Sequence, residues 1–291
     1  MKANRHHYLP QFYIHGFVNS DNKISVYDKQ EKRFKKQEFS PKQIFFEWNR
    51  NTLLVEGKKD DSVEKLYGYF ESLISPTYNR IKMQSGRIKY DINDIFNLLV
   101  LVSLTHWRLP LNDVNAENFV QSTPRKDLII KIFNKETGEE ASEDLYEKVK
   151  KRNGFVEMYK LLKPIIDFMS LNMKNSIEHW KIYRADSEIQ SHILGDNPIV
   201  FKDQPQNNIL ETELIFPLTK GIMLYHNKGK KIKQIQPEDR VNVDIMIFLQ
   251  SRRYVVGSNK DYLNKIKSLA QGCNTKSEIE ILRNEIFEIF E

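Results

Sequence analysis

Asp91-Ile92-Asn93-Asp94-Ile95-Phe96-Asn97-Leu98-Leu99-Val100-Leu101-Val102-Ser103-Leu104-Thr105-His106-Trp107 reads as one helix, apolar around most of its circumference. A helix of that kind has no broad solvent face and belongs at the centre of a protein. Leu109-Pro110 ends it, because the residue before a proline is pushed out of helical geometry. Its most apolar run, Ile95 to Leu104, is interrupted by Asn97 and Ser103 and falls short of the ~18 residues a bilayer span needs. The stretch therefore predicts a buried central helix and no membrane partner.

Working outward, Val63, Leu66, Tyr67, Phe70, Leu73 and Ile74 recur at helical spacing, with Asp60, Asp61 or Ser62 as cap and Pro76 as its end or kink. Upstream, residues 22 to 39 alternate as a β-hairpin whose Ile24, Val26 and Phe34 face inward and whose lysines face outward. Its basic residues, Lys29, Lys32, Arg33, Lys35 and Lys36, suit a sheet edge guarded against further pairing. Downstream, residues 112 to 142 are weakly patterned, with a short helix expected from Asp127 to Phe133. A helix pair follows across Ser142 to Lys174, punctuated by Asn153-Gly154 and kinked at Pro164. From Trp180 the chain turns β, with short strands at 180–183, 192–194, 199–201, 213–216 and 222–225. Pro237 to Ser251 is helical, Tyr254-Val255-Val256 a strand, and helices run near 259–270 and 275–290. The expected class is α+β, a mixed or antiparallel sheet of small strands at both chain ends packed on a central helical bundle. Residues 1–291 are read as one domain, with 112–178 a helical insertion or subdomain.

The chain has 291 residues, 40% of them hydrophobic, enough for such a core. Forty-five Lys and Arg stand against 39 Asp and Glu, a net charge of +6. That surplus suits a phosphate-rich partner such as nucleic acid, although most of it reads as mixed-sign surface. The one cysteine, Cys273, lies in a turn between helices and excludes an internal disulfide framework or a CxxC zinc site. The N-terminus has no apolar leader core, so a cytoplasmic location is expected. GxxxxGK[ST], HExxH, GxSxG and EF-hand patterns do not occur, which argues against P-loop, thermolysin-like and α/β-hydrolase chemistry.

Several polar groups stand out. His6-His7-Tyr8-Leu9-Pro10-Gln11-Phe12-Tyr13, followed by His15-Gly16-Phe17, puts imidazoles, a carboxamide and aromatics where a terminus usually frays. Glu64 and Glu71, seven residues apart, fall within about 20° of one helix face and roughly 10 Å along its axis. Arg108 closes the most apolar helix, where an unpaired guanidinium is costly, so it requires a carboxylate or phosphate partner. His106 beside it suits a helix C-terminus. Gly195-Asp196-Asn197-Pro198 is a turn that either reverses the chain or presents Asp196 at a strand end. Asn242 lies in the first turns of the 237–251 helix, and Lys228 to Lys233 form a basic, solvated loop.

In order and spacing these segments resemble the family of domain of unknown function 4238. The resemblance is carried by His7 to Tyr13, Gly16-Phe17, the Lys23 to Asp28 strand, Val63-Glu64, Phe70-Glu71 and Arg108-Leu109-Pro110. It continues through Gly195 to Val200, Phe216-Pro217-Leu218-Thr219 and Asn242. Leu109 stands where the family usually has a small residue, and Gly195 where serine is common. The resemblance implies that His7, Gln11, Glu64, Glu71, Arg108, Asp196 and Asn242 are recurring groups of a shared polar site. As an enzyme, such a site would be a phosphodiester hydrolase, nuclease-like and suited to a toxin or defence role. His7 would be its acid or base, and Glu71 and Asp196 would orient it or hold a divalent metal. Arg108 would steady developing negative charge. As a binding or interaction module, it would use the same groups as a buried network pinning the N-terminal segment. Convergence on an open cleft favours the first; pairing away from solvent favours the second. The oligomeric state is left open.

Overall fold

The computed structural model describes residues 4–55, 57–171, 176–184, 192–205 and 208–291. In chain order it forms β1 (Arg5–His7), α1 (Gln11–Ile14), β2 (Ser25–Asp28), β3 (Arg33–Phe34), β4 (Phe46–Trp48), β5 (Leu53–Val55) and β6 (Lys58–Asp60). The helical middle follows: α2 (Ser62–Met83), α3 (Ile92–Arg108), α4 (Asp113–Ser122), α5 (Glu143–Lys150) and α6 (Asn153–Met169). Then come β7 (Trp180–Arg184), β8 (Leu194–Gly195), β9 (Val200–Phe201), β10 (Leu214–Thr219) and β11 (Ile222–His226). The chain ends with α7 (Pro237–Gln250), β12 (Tyr254–Gly257), α8 (Lys260–Ala270) and α9 (Lys276–Phe287). The fold class is α+β.

Helix α3 is central, as its composition requires. A capping box in which Asp91 and Asp94 serve each other's backbone amides starts it. Leu98, Leu99, Leu101, Val102 and Leu104 are buried along it, and it packs on α2 and α6.

Among the described residues the strands form four small antiparallel sheets, two of four strands in the orders β7-β11-β10-β9 and β3-β2-β12-β8. In the second, the N-terminal hairpin pairs with the C-terminal strand, Tyr27 opposite Val255 and Val26 opposite Val256. The two ends of the chain thus share one sheet. In the first, alternation sends Leu214, Phe216 and Leu224 into the large core cluster built on α2 and α3. Ile215, Met223 and Tyr225 face a second cluster under α7, α8 and α9. Burial on both faces explains why β10 and β11 read as nearly continuous apolar runs. A third, small cluster joins Val120, Leu128, Tyr146, Phe155 and Tyr159.

Four expectations change. Pro76 lies inside α2, which continues to Met83, because Ile74, Tyr78 and Ile81 are all buried and hold both halves of the helix against the core. The helix expected at 127–133 is replaced by α4, anchored by buried Ala116 and Val120. Residues 125–127 make only a single 3-10 turn after Pro124. The hairpin has two buried faces: Val26 enters the large cluster, whereas Phe34, opposite Tyr27, packs on the second. Lys29 does not face outward, since its ammonium donates to the carbonyls of Phe248, Leu249 and Ser251. The helix pair is present as α5 and α6, with Pro164 inside α6; the 172–174 end of that prediction lies outside the described residues.

Candidate functional site

The opening segment is fixed at both ends. β1 pairs with β4, placing His7 opposite Phe46, and Pro10 starts α1, whose Tyr13 and Ile14 are buried. The Tyr13 hydroxyl donates to the Pro217 carbonyl at 2.6 Å, and its ring stacks on Phe216. Tyr78 donates to the carbonyls of Leu218 and Tyr13. A Cβ on Gly16 would stand 2.0 Å from that Tyr78 hydroxyl, so only glycine lets the segment approach so closely. The aromatics of this motif are core contacts.

Beside them lies a polar cluster. Gln11 donates its amide to His7 Nδ1 at 3.3 Å, which places the proton of the neutral ring on Nε2. Nε2 is buried with no partner among the described residues. Burial first, then the charges of Arg108 and Arg5, push the His7 pKa down to about 4, so the ring is neutral at pH 7.

Arg108, 1% exposed, meets its requirement for acidic partners at the two helical glutamates. It bonds Glu71 at 2.5 Å and Glu64 at 3.2 Å, and its guanidinium lies 4.2 Å over the Tyr67 ring. The seven-residue spacing thus places both acids on one cation. Glu64 also accepts from the Asn51 side chain at 2.6 Å, and the Asn51 backbone amide donates to His6 Nδ1.

Charge continues behind this cluster. Arg50 bridges Glu47 and Asp113 and donates to the Arg108 carbonyl. Asp113 also binds buried Lys160, which in turn pairs with Glu157. Sequence reading missed Asn51, Arg50, Tyr67, Asp113 and Lys160. Each pairs with a residue that only the tertiary fold brings near. His6 was visible only as the neighbour of His7.

Among the described residues, two candidates make no hydrogen bond or ion pair with this cluster. The Asp196 carboxylate accepts from the backbone amides of Arg252, Arg253 and Tyr254 at 2.7–3.0 Å. It anchors β8 to β12; burial nonetheless pushes its pKa above the usual carboxylate range, against the pull of those amides. A Cβ on Gly195 would collide with the Ser251 hydroxyl, which accounts for glycine there. Asn242 is half-buried on α7. Of the seven groups expected to share one hollow, the structure joins five through direct bonds or charge. His7, Gln11, Glu64, Glu71 and Arg108 cluster, whereas Asp196 is bonded to the turn that leads into β12, with its charge felt at Tyr8, and Asn242 lies on α7. Among the described residues no three His, Cys, Asp or Glu side chains are grouped to hold a metal ion.

None of the seven lines the large groove of about 1780 Å³. That groove runs along β7, an edge strand of its sheet, and along residues 84–90 between α2 and α3. Six cations line it: Lys82, Arg87, Lys89, Lys181, Arg184 and Lys220. No Asp or Glu occurs among the described residues that do so. His15 is also there, its pKa lowered by burial and by Lys82 and Lys42. The feature was legible as two short alternations, Arg87-Ile88-Lys89-Tyr90 and Lys181-Ile182-Tyr183-Arg184, far apart in the chain.

Among the described residues no helix is long and apolar enough to cross a membrane. No curated protein and no solved structure matches the chain. Residues 5–261, from the strand bearing His7 to the start of α8, match one family model, and the chain belongs to that family, described as protein of unknown function (DUF4238).

Proposed function

We propose that this chain is a binding module for a phosphate-rich polymer, with the His7–Arg108 cluster serving as the clamp that holds the N-terminal segment in place. One observation carries the reading: a large groove lined by six cations and, among its described residues, by no carboxylate. Clefts lined by one sign of charge concentrate the opposite charge, and contacts to backbone phosphates supply most of non-specific nucleic-acid affinity. The same reading takes residues 1–291 as one domain, with 112–178 as a helical insertion.

The test is fluorescence anisotropy with a labelled oligonucleotide across a salt series. Binding that weakens with salt is expected, and Lys89→Glu with Lys181→Glu should lower the salt slope by about 2 and the affinity by at least about tenfold. An unchanged slope and affinity in that double variant would reject the groove.

A phosphodiester hydrolase at the His7 cluster is the second reading. It is favoured by the buried Nε2 of His7, which makes no hydrogen bond in the cluster and lies within reach of the Arg108 charge, whose partners Glu64 and Glu71 keep 29% and 23% side-chain exposure. It ranks second because Arg108 is already matched by those two acids and Asp196 by three amides. Incubation of the same oligonucleotides with Mg²⁺ or Mn²⁺ separates the two. Cleavage that His7→Gln abolishes would establish the hydrolase, and binding without cleavage would support the module.

A further inference from the structure

We propose that the groove selects single-stranded nucleic acid, with Tyr90 and Tyr183 as stacking surfaces for its bases. This rests on the groove reading above and adds to it the form of the polymer. Each wall combines two cations, one isoleucine and one tyrosine. Ile88 and Ile182 are buried, while Arg87, Lys89 and Tyr90 on one wall and Lys181, Tyr183 and Arg184 on the other line the groove. Arg184 ties the walls together through the Gln84 carbonyl.

The tyrosines keep 36% and 40% exposure, so each offers ring surface to a ligand. The Tyr183 ring is steadied edge-on by Tyr225, centroids 5.6 Å apart. Rigid aromatics among cations match what a single strand presents, a charged backbone with unstacked base faces. A duplex hides those faces in its own stack and would engage the cations alone. An extended acidic peptide would find the lysines and the β7 edge but would have no planar group for the rings.

The experiment compares a labelled single strand, as DNA and as RNA, with a duplex of the same sequence. Inorganic polyphosphate and an acidic peptide serve as competitors, and all arms use the full chain at constant salt. Single strands of either sugar should bind at least about tenfold more tightly than the duplex. Tyr90→Ala and Tyr183→Ala should each weaken single-strand binding about 5- to 150-fold, the range measured for loss of one stacked base. Tyr90→Phe and Tyr183→Phe should bind like the parent chain, and polyphosphate affinity should be unchanged in all four. Melting curves identify any variant that fails to fold, and the strand-versus-duplex comparison on the parent chain does not depend on them.

Equal binding of single strand, duplex and polyphosphate, with neutral alanine variants, would overturn base stacking and leave the charged groove standing. Preferential capture of the acidic peptide would overturn it in favour of a protein partner. Absence of salt-dependent binding to every probe would remove the underlying groove reading as well.

Discussion

Arg108 shows how one side chain sets the terms for its neighbours. Its charge is buried, and Glu71, Glu64 and the Tyr67 face surround it. Removing one member of such a set is much worse than never having it, because the remaining charges stay buried without partners. Arg108→Met should therefore cost about 3–5 kcal/mol in urea unfolding. Adding Glu64→Gln and Glu71→Gln to that variant should recover part of the loss; a further loss would show that the acids have other essential partners. The need for an acidic partner was legible in the sequence, since a guanidinium at the end of an apolar helix cannot stand alone. The two glutamates were legible as one helical face. Their meeting with Arg108 was not, because it depends on how α2 packs on α3. Asp196 was undecided between turn and catalysis, and the three amides it satisfies lie more than fifty residues away.

Lys29 does at the level of an element what a C-cap usually does. Its ammonium meets three carbonyls at the end of α7, at 2.6, 3.1 and 2.6 Å, where the helix dipole and unpaired carbonyl groups favour a cation. Lys29→Met keeps the aliphatic length and removes those bonds, so it should cost about 1–3 kcal/mol by thermal or urea unfolding. No loss would mean that water replaces the ammonium without penalty. Helices with clear periodicity were found from sequence within a few residues. The errors came where tertiary packing overruled a local rule. Pro76 is carried inside α2 because three buried residues bracket it. Lys29 looked like a surface charge because its helix partner begins more than two hundred residues later.

At the scale of the whole molecule, buried imidazoles make stability depend on pH. Burial is the first cause that lowers the pKa of His7 and His226 to about 4, from 6.5 in an unfolded chain. The unfolded chain therefore takes up protons first as pH falls. The stabilisation is complete above about pH 6.5, is lost on the way down to about pH 4, and changes no further below that. Within this window each histidine contributes up to about 1.4 kcal/mol per pH unit. Melting temperature should fall steadily from pH 6.5 to 4, and His226→Gln should flatten that slope; an unaltered slope would assign the acid sensitivity to other groups. The two-ended sheet was the part of the architecture least legible in advance, because antiparallel pairing of β2 with β12 leaves no mark on either strand. The join between Tyr13 and Pro217 spans 204 positions of the chain, and this has a consequence during synthesis. At ~5–20 residues per second, Tyr13 waits roughly 10–40 s after its own synthesis before its docking strand is made. Until then Tyr13 has its Tyr78 contacts but not the strand it stacks on, which leaves apolar ring surface for a holding chaperone to cover.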